Sequence, residues 1–327
     1  MTAARRALMP VVAAGDDVWT LGSCDDWLMA VKQTGDRCFL VNAFSREVSH
    51  LPCLQINSHQ CYHCLDDVSS SPVGTSFHGW MLRSALSASP SSSVSKYSVA
   101  AYTYRGGGSH PGLALWQPGM TSWYLCRSSQ INSFSGDLAF YQGKLYMVLM
   151  YTADIFAFEL REDEHGLSLS CPEHYAINPL IHSRTIVSMR CKCNMVVWRG
   201  KLLLVIRIFS DSMYEKTECK PHSVEVFALD FSTRPCGVTQ IQNFDGDCIF
   251  VQKSGCRSFS AGLHVGVQGD LIYFLDEGIT NHGSYTYVHN MRDGTLWRIA
   301  AGLPPPNSGV PQKCFPDDFP VWIFPSS

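Results

Sequence analysis

No run of Lys and Arg, no sustained helical period and no apolar stretch of membrane-spanning length occurs in the chain, and each absence removes a class of function. Only 16% of its 327 residues are charged, and the formal net charge is −3. Phosphate backbones and anionic lipid therefore meet no electrostatic footprint, and neither nucleic acid nor a membrane is an expected partner. The densest apolar run, Leu202 to Phe209, is interrupted by Arg207 and has strand length, far below the ~20 residues that cross a bilayer as a helix. With 46% apolar residues the chain still has ample material for a packed core, which excludes wholesale disorder.

Catalytic signatures are missing in the same way. A serine nucleophile elbow needs G-x-S-x-G, and Gly74-Thr75-Ser76-Phe77-His78-Gly79 has one residue too many. Phosphate-cradling loops need G-x-x-x-x-G-K-[ST] or G-x-G-x-x-G before a helix, and Gly106-Gly107-Gly108 fits neither. The acidic string Glu162-Asp163-Glu164-His165-Gly166 lacks the ligand spacing of a calcium loop and reads as a solvated hairpin tip, and Asp245-Gly246-Asp247 reads as a tight turn. Fourteen cysteines are scattered over a chain large enough to stabilise itself by burial, so they read as reduced, mostly buried thiols. His59, Cys61, His63 and Cys64 include a zinc-like C-x-x-C, but a structural site requires a second spaced pair, and Cys191-Lys192-Cys193 is too tight to supply it. No catalytic residue, metal or cofactor is expected, and the chain reads as a non-enzyme.

What the chain does contain is a repeated phrase, a glycine turn feeding an apolar strand. It occurs as Tyr141-Gln142-Gly143-Lys144-Leu145-Tyr146, Trp198-Arg199-Gly200-Lys201-Leu202-Leu203 and Val267-Gln268-Gly269-Asp270-Leu271-Ile272-Tyr273. The intervals suit one four-stranded sheet plus a long loop, so each phrase reads as the core hairpin of a β-propeller blade. Apolar runs of strand length lie at Trp27 to Val31, Cys38 to Val41, Tyr97 to Tyr104, Leu113 to Trp116, Leu145 to Leu149, Ile155 to Leu160, Leu202 to Phe209, Val224 to Asp230, Cys248 to Val251, Leu271 to Leu275 and Trp297 to Ala300. Turn residues separate them. At about 45 to 60 residues per unit, the reading is an all-β single propeller of roughly six four-stranded blades.

Residues 1–17 read as an N-terminal extension and 18–327 as the propeller domain. The start from Arg5 to Ala14 mimics a signal peptide, but Pro10 breaks its apolar run early, so the expected location is intracellular, cytoplasm or nucleus, with organelle targeting the lesser reading. Ser84 to Ser95 and Arg105 to Pro111 read as mobile loops. The Pro-rich stretch from Pro304 to Pro320 precedes a last short strand, Val321 to Phe324, expected to close the ring against the first blade and so remove exposed edges.

Four stretches carry a family likeness. Gly22-Ser23-Cys24-Asp25-Asp26-Trp27-Leu28 is answered by Leu40-Val41-Asn42-Ala43-Phe44-Ser45-Arg46 and Leu51-Pro52. Leu113-Ala114-Leu115-Trp116-Gln117-Pro118-Gly119 is followed by Trp123. The glycine phrases at 143 and 200, the second ending in Arg207, precede Val224 to Asp230. Finally come Phe250, Ser258 to Ala261, Ile272-Tyr273-Phe274 and Pro320-Val321-Trp322-Ile323-Phe324-Pro325. In this order and spacing the chain resembles the plant F-box-associated proteins of the KIB type, whose C-terminal domain is a β-propeller. Asp26, Ala43, Gln117 and Cys236 depart from the family's usual Gly, Pro, Arg and Trp, which bears on local turn geometry.

The resemblance implies a non-enzymatic protein-interaction module, like the substrate-recognition propeller of F-box ubiquitin-ligase subunits, with a protein target as partner. Only 18 residues precede Trp19, too few for an F-box, so a Skp1-type adaptor is not expected to bind. The eight tryptophans read mostly as core between blades, with Trp80 and Trp123, beside the loops, as the expected exposed anchors of a binding surface. Two other readings stand beside this one. An enzyme or small-molecule binder would converge Asp25, Asp137 or Asp276 in a central channel, and a degenerate paralogue would have no current partner.

Overall fold

The computed structural model describes residues 18–32, 37–53, 55–56, 77–78, 80–90, 96–104, 112–127, 135–149, 153–163, 166–177, 191–209, 221–252, 255–263, 267–276 and 285–299. The described residues form an all-β propeller of five blades, not about six. Blade 1 is the meander β1 (Val18–Cys24), β2 (Trp27–Lys32), β3 (Cys38–Asn42) and β4 (Val48–Leu51). A two-stranded ribbon, β5 (Gln55–Ile56) and β6 (Phe77–His78), follows it. Blade 2 comprises β7 (Trp80–Leu86), β8 (Val99–Tyr104), β9 (Gly112–Trp116) and β10 (Tyr124–Arg127). Blade 3 comprises β11 (Ser135–Tyr141), β12 (Lys144–Leu149), β13 (Ile155–Asp163) and β14 (Gly166–Leu169), with β15 (Glu173–Tyr175) also paired to β13. Blade 4 comprises β16 (Cys191–Trp198), β17 (Lys201–Phe209), β18 (Pro221–Asp230) and β19 (Gly237–Gln240).

Blade 5 breaks the pattern. Its strands lie in the order β21 (Arg257–Ser260), β20 (Asp247–Val251), β22 (Leu271–Asp276), β23 (Tyr285–Asn290) and β24 (Leu296–Ile299), and β22 runs parallel to β20. The glycine phrase at 269 is therefore no hairpin: it leads into a strand that enters the sheet beside the β20–β21 pair. The other two phrases are hairpins. Gln142 and Gly143 join β11 to β12, and Arg199 and Gly200 join β16 to β17, all four with φ between 45° and 76°. Two successive positive φ values make the turn whose twist matches paired strands, and glycine supplies the second at no steric cost. The six-blade expectation failed because the interval from Gly200 to Gly269 includes the extra β20–β21 pair, and because long connections take up chain between sheets. Ser84 to Leu86, expected in a loop, belong to β7. The expected strand at Val321 to Phe324 and the Pro-rich stretch before it lie outside the described residues.

The edge strands β1, β7, β11, β16 and β21 pack side by side around the ring, and the side chain of Gln252, just after β20, reaches Ser23 of β1 to close it. Middle strands are buried on both faces, and their alternate residues serve two neighbouring cores. On β17, Leu202, Leu204 and Ile206 pack toward blade 3 while Leu203 and Val205 pack toward blade 5. On β8, Val99 and Ala101 face blade 1 while Ala100 and Tyr102 face blade 3. Burial of each large aliphatic side chain contributes about 1.5–3 kcal/mol, which is why these strands read as unbroken apolar runs. Shared cores of this kind join blades 1–2, 2–3, 3–4 and 4–5. At the seam between blades 5 and 1 the apolar residues fall instead into two separate clusters, one on each blade.

Most of the described cysteines are buried in the core, with Cys171 exposed. Among the described residues no group of His, Cys, Asp and Glu is arranged to hold a metal, and no helix is long and apolar enough to cross a membrane. The group at residues 59–64 lies outside the described residues.

Candidate functional site

The five inner strands meet in a polar hub. Asp137 on β11 is 1% exposed, yet it is well supplied with donors. Its Oδ1 accepts the Leu138 amide at 2.9 Å, and its Oδ2 accepts the Met195 amide at 2.9 Å and Asn194 Nδ2 at 3.3 Å. The Cys256 thiol approaches the same oxygen at 3.8 Å. Asn194 is the connector: Nδ2 also donates to the Gln252 carbonyl at 3.0 Å, and Oδ1 accepts Arg207 Nη2 at 3.1 Å. Arg207, buried on β17, lies over the Phe274 ring at 4.9 Å. Gln252 Nε2 then reaches Ser23 Oγ at 2.5 Å and the Gly255 carbonyl at 3.1 Å. With Arg83 of β7 acting on Asp137 electrostatically, every blade contributes a polar group.

Burial drives the electrostatics here. It pushes the Asp137 carboxyl up to about 6, against the pull of Arg83, the two backbone amides and Asn194. It also raises the Cys256 thiol. A carboxyl held above its ordinary value binds its proton more tightly folded than unfolded. Its contribution to stability is then fully present below about pH 4 and is lost as pH rises through about 6, amounting to about 3 kcal/mol across that window. Buried His289 works oppositely, because burial lowers its affinity for a proton and charging it in acid destabilises the fold. The stability difference between wild type and Asp137→Asn, followed by urea denaturation from pH 4.5 to 8, isolates the carboxyl: wild type gains on the variant as pH falls. Parallel curves would refute the assignment.

One rim of the ring is tied shut. Ser89 Oγ donates to Asp26 Oδ1 across blades 2 and 1 at 3.4 Å, and Lys96 Nζ pairs with Glu162 across blades 2 and 3 at 3.2 Å. Arg234 lies 3.9 Å from Glu173 between blades 4 and 3. Arg199 Nε donates to Asp247 at 2.7 Å between blades 4 and 5, and Arg257 pairs with Asp25 between blades 5 and 1. Exposed members of this belt contribute little individually, about 0–1 kcal/mol, but together they fix the short turns of this rim. Asp26, where the resembled family favours glycine, is buried and accepts Asn42 Nδ2 at 2.6 Å, while Asp25 takes the positive φ of 54° that the turn requires.

A shallow cleft of about 460 Å³ opens on this rim, lined in part by Asn243, Asp245, Asp270, Met291 and Arg292. Its strongest polar groups already serve each other: Arg292 Nε donates to Asp270 at 2.8 Å, and Phe244 N donates to the same carboxylate at 2.7 Å.

The expected site residues are dispersed. Asp137 enters the hub, Asp25 goes to the rim with Arg257, and Asp276 ends β22 with its side chain outside the described residues. Trp123 is a correction: it is 4% exposed, packs in the core between blades 1 and 2, and donates Nε1 to the Pro52 carbonyl at 2.7 Å, so it is no surface anchor. The backbone of Trp80 opens β7, and its side chain lies outside the described residues. Among the described residues the exposed aromatics are Phe44 (59%) and Trp297 (40%). Sequence reasoning missed Ser23, Arg83, Asn194, Gln252 and Cys256, and the available signal was a polar residue interrupting each inner strand or its end.

A search of curated proteins finds no match. Among solved structures, a mutant of the Aleuria aurantia lectin aligns in its complex with alpha-methyl-L-fucoside at a TM-score of 0.38 and 10% identity, covering 89% of this chain and 80% of the lectin. The complex with Fucalpha1-6GlcNAc aligns at 0.37 and 9%, covering 89% and 81%. The KIB1-4 beta-propeller profile matches residues 6–293, nearly nine-tenths of the chain, and the chain belongs to the KIB1-4 β-propeller family.

Proposed function

We propose that the chain is a non-enzymatic protein-interaction module that binds a protein target through the rim opposite the tied turns, the part a substrate-recognition propeller plays in a ubiquitin ligase. One observation carries the reading: the two rims are unequal. The tied rim carries the two-residue turns 25–26, 142–143 and 199–200, and polar and charged groups on it bind one another across blades. The connections 57–76, 105–111, 128–134, 178–190, 210–220 and 277–284 leave from the opposite strand ends. A rigid scaffold that carries variable connections on one face limits the ordering entropy of binding. Trp80 begins β7 at that same end, which keeps it as the anchor of choice.

A photo-activated crosslinker at position 107, in the connection 105–111, is compared with one at Gln142 on the tied rim, each in the full chain added to extract of the native cell. A protein crosslinked from 107 and not from 142 supports the reading. Capture from 142 alone, or no capture alongside a clear thermal shift with a metabolite library, overturns it in favour of a small-molecule binder.

A further inference from the structure

The turn between β3 and β4, on the tied rim of blade 1, puts an aromatic ring into water and holds it there. Phe44, 59% exposed, is the most open large apolar side chain among the described residues. Hydrogen bonds fix the turn beneath it. Arg46 N donates to the Asn42 carbonyl at 3.0 Å, Asn42 N donates to the Glu47 carbonyl at 2.9 Å, and Asn42 Oδ1 accepts the amides of Phe44 at 2.9 Å and Ser45 at 2.8 Å. Asn42 Nδ2 is bound in turn to buried Asp26, whose carbonyl accepts Ala43 N at 2.8 Å. A ring presented on so closed a turn loses little further entropy on contact.

Blade 5 contains the same turn between β23 and β24. There Gly294 N donates to the Asn290 carbonyl at 2.9 Å, Asn290 N donates to the Thr295 carbonyl at 2.9 Å, and Asn290 Oδ1 accepts Arg292 N at 2.9 Å. Arg46 therefore stands where blade 5 has glycine, with φ at 64° against 70° for Gly294, in the left-handed region that a Cβ disfavours. Four other charged residues hold positive φ, namely Asp25, Arg199, Asp245 and Asp270, and each is ion-paired within the ring. Arg46 is exposed and has no side-chain partner among the described residues, so the fold gives no reason for an arginine here.

We propose that the turn 43–47 is a second protein-contact surface, independent of the face assigned to the target, which seats Phe44 in an apolar socket of a partner protein and sets Arg46 against a carboxylate at the socket's edge. An aromatic ring and an arginine are the residue types that carry most binding energy once enclosed, and a guanidinium matches a carboxylate with two parallel hydrogen bonds. A lipid surface is the poorer occupant, because one ring and one cation stand beside exposed Glu47 on a chain of net charge −3. With contact surfaces on both rims the module bridges two proteins.

The test places a photo-crosslinker at Ser45, which leaves Phe44 and Arg46 in place, and another at Gln142 on the same rim of blade 3, each in the full chain added to extract of the native cell. Crosslinked peptides are sequenced. The expected product is one protein, joined at a peptide with apolar residues beside Asp or Glu and absent from the Gln142 sample. Its yield falls at least tenfold with Phe44→Ser and at least threefold with Arg46→Gly. Because Arg46→Gly installs the residue blade 5 already uses, its urea midpoint should be no lower than that of wild type. Equal products at 45 and 142, none at either, links to lipid or to another copy of this chain, or yields indifferent to both substitutions would discard the surface. A lowered midpoint for Arg46→Gly would do the same, by making the arginine part of the fold.

Discussion

Replacing Gly255 by alanine lowers the unfolding free energy by about 2–4 kcal/mol, the largest effect expected of an added methyl at any of the described glycines. Two terms combine. Gly255 holds φ at +83°, a conformation that costs an L-residue about 1 kcal/mol or more. A Cβ there would also collide with the Ser23 carbonyl oxygen and come within 3.0 Å of its carbon and 3.2 Å of its nitrogen, so backbone, not a flexible side chain, would have to move. Overpacking of that kind typically costs about 1–3 kcal/mol, and here it also separates Gln252 from Ser23 at the one interface with no shared apolar core. Gly143→Ala is the control, because its φ of +76° carries the same backbone term while nothing lies within 4 Å of the added methyl. Urea denaturation of both variants separates the terms. Equal losses at 255 and 143 would mean that the seam accommodates the methyl and that the close approach is unimportant.

Which strands could be read from the sequence follows from where they sit. β2, β3, β8, β9, β12, β17 and β22 are packed on both faces, so their apolar runs are nearly continuous and were identified within a residue or two of their ends. The inner strands were not. β1, β7, β11 and β16 carry Ser23, Arg83, Asp137 and Asn194 at the axis, and each polar residue breaks the pattern that marks a strand. The outer strands β4, β10, β14 and β19 have four residues each, too few for an alternation to register. The hub was invisible for a related reason. Its members lie far apart in the chain, and a lone Asn, Gln or Asp in a strand has the composition of a solvated position until five strands bring the group together.

Blade count depended on treating every glycine phrase as the same object. Blade 1 turns on Asp25 and Asp26, blade 2 has no glycine between Leu86 and Val99, and Gly269 introduces a parallel strand, so only two of the five inner turns carry the phrase. The family likeness was more robust than the count because it rested on the order of several motifs and not on one interval.

Asn194→Leu is expected to destabilise the fold by about 3–5 kcal/mol although the volume hardly changes. The asparagine alone joins three polar groups: the Asp137 carboxylate, the Gln252 carbonyl and the Arg207 guanidinium. Leucine leaves each with one fewer partner in a region that water does not reach, and the penalty for weakening buried charges exceeds that for a lost surface bond several-fold. Met195→Leu, one residue along the same buried strand, keeps its backbone donation to Asp137 and exchanges one apolar side chain for another, so it should cost less than about 1.5 kcal/mol. Chemical denaturation of the pair decides whether the hub fastens the ring. A loss at 194 no larger than that at 195 would make the axis ordinary packing, whereas sub-additive losses in Asn194→Leu combined with Asp137→Asn would show that the two residues act as one unit.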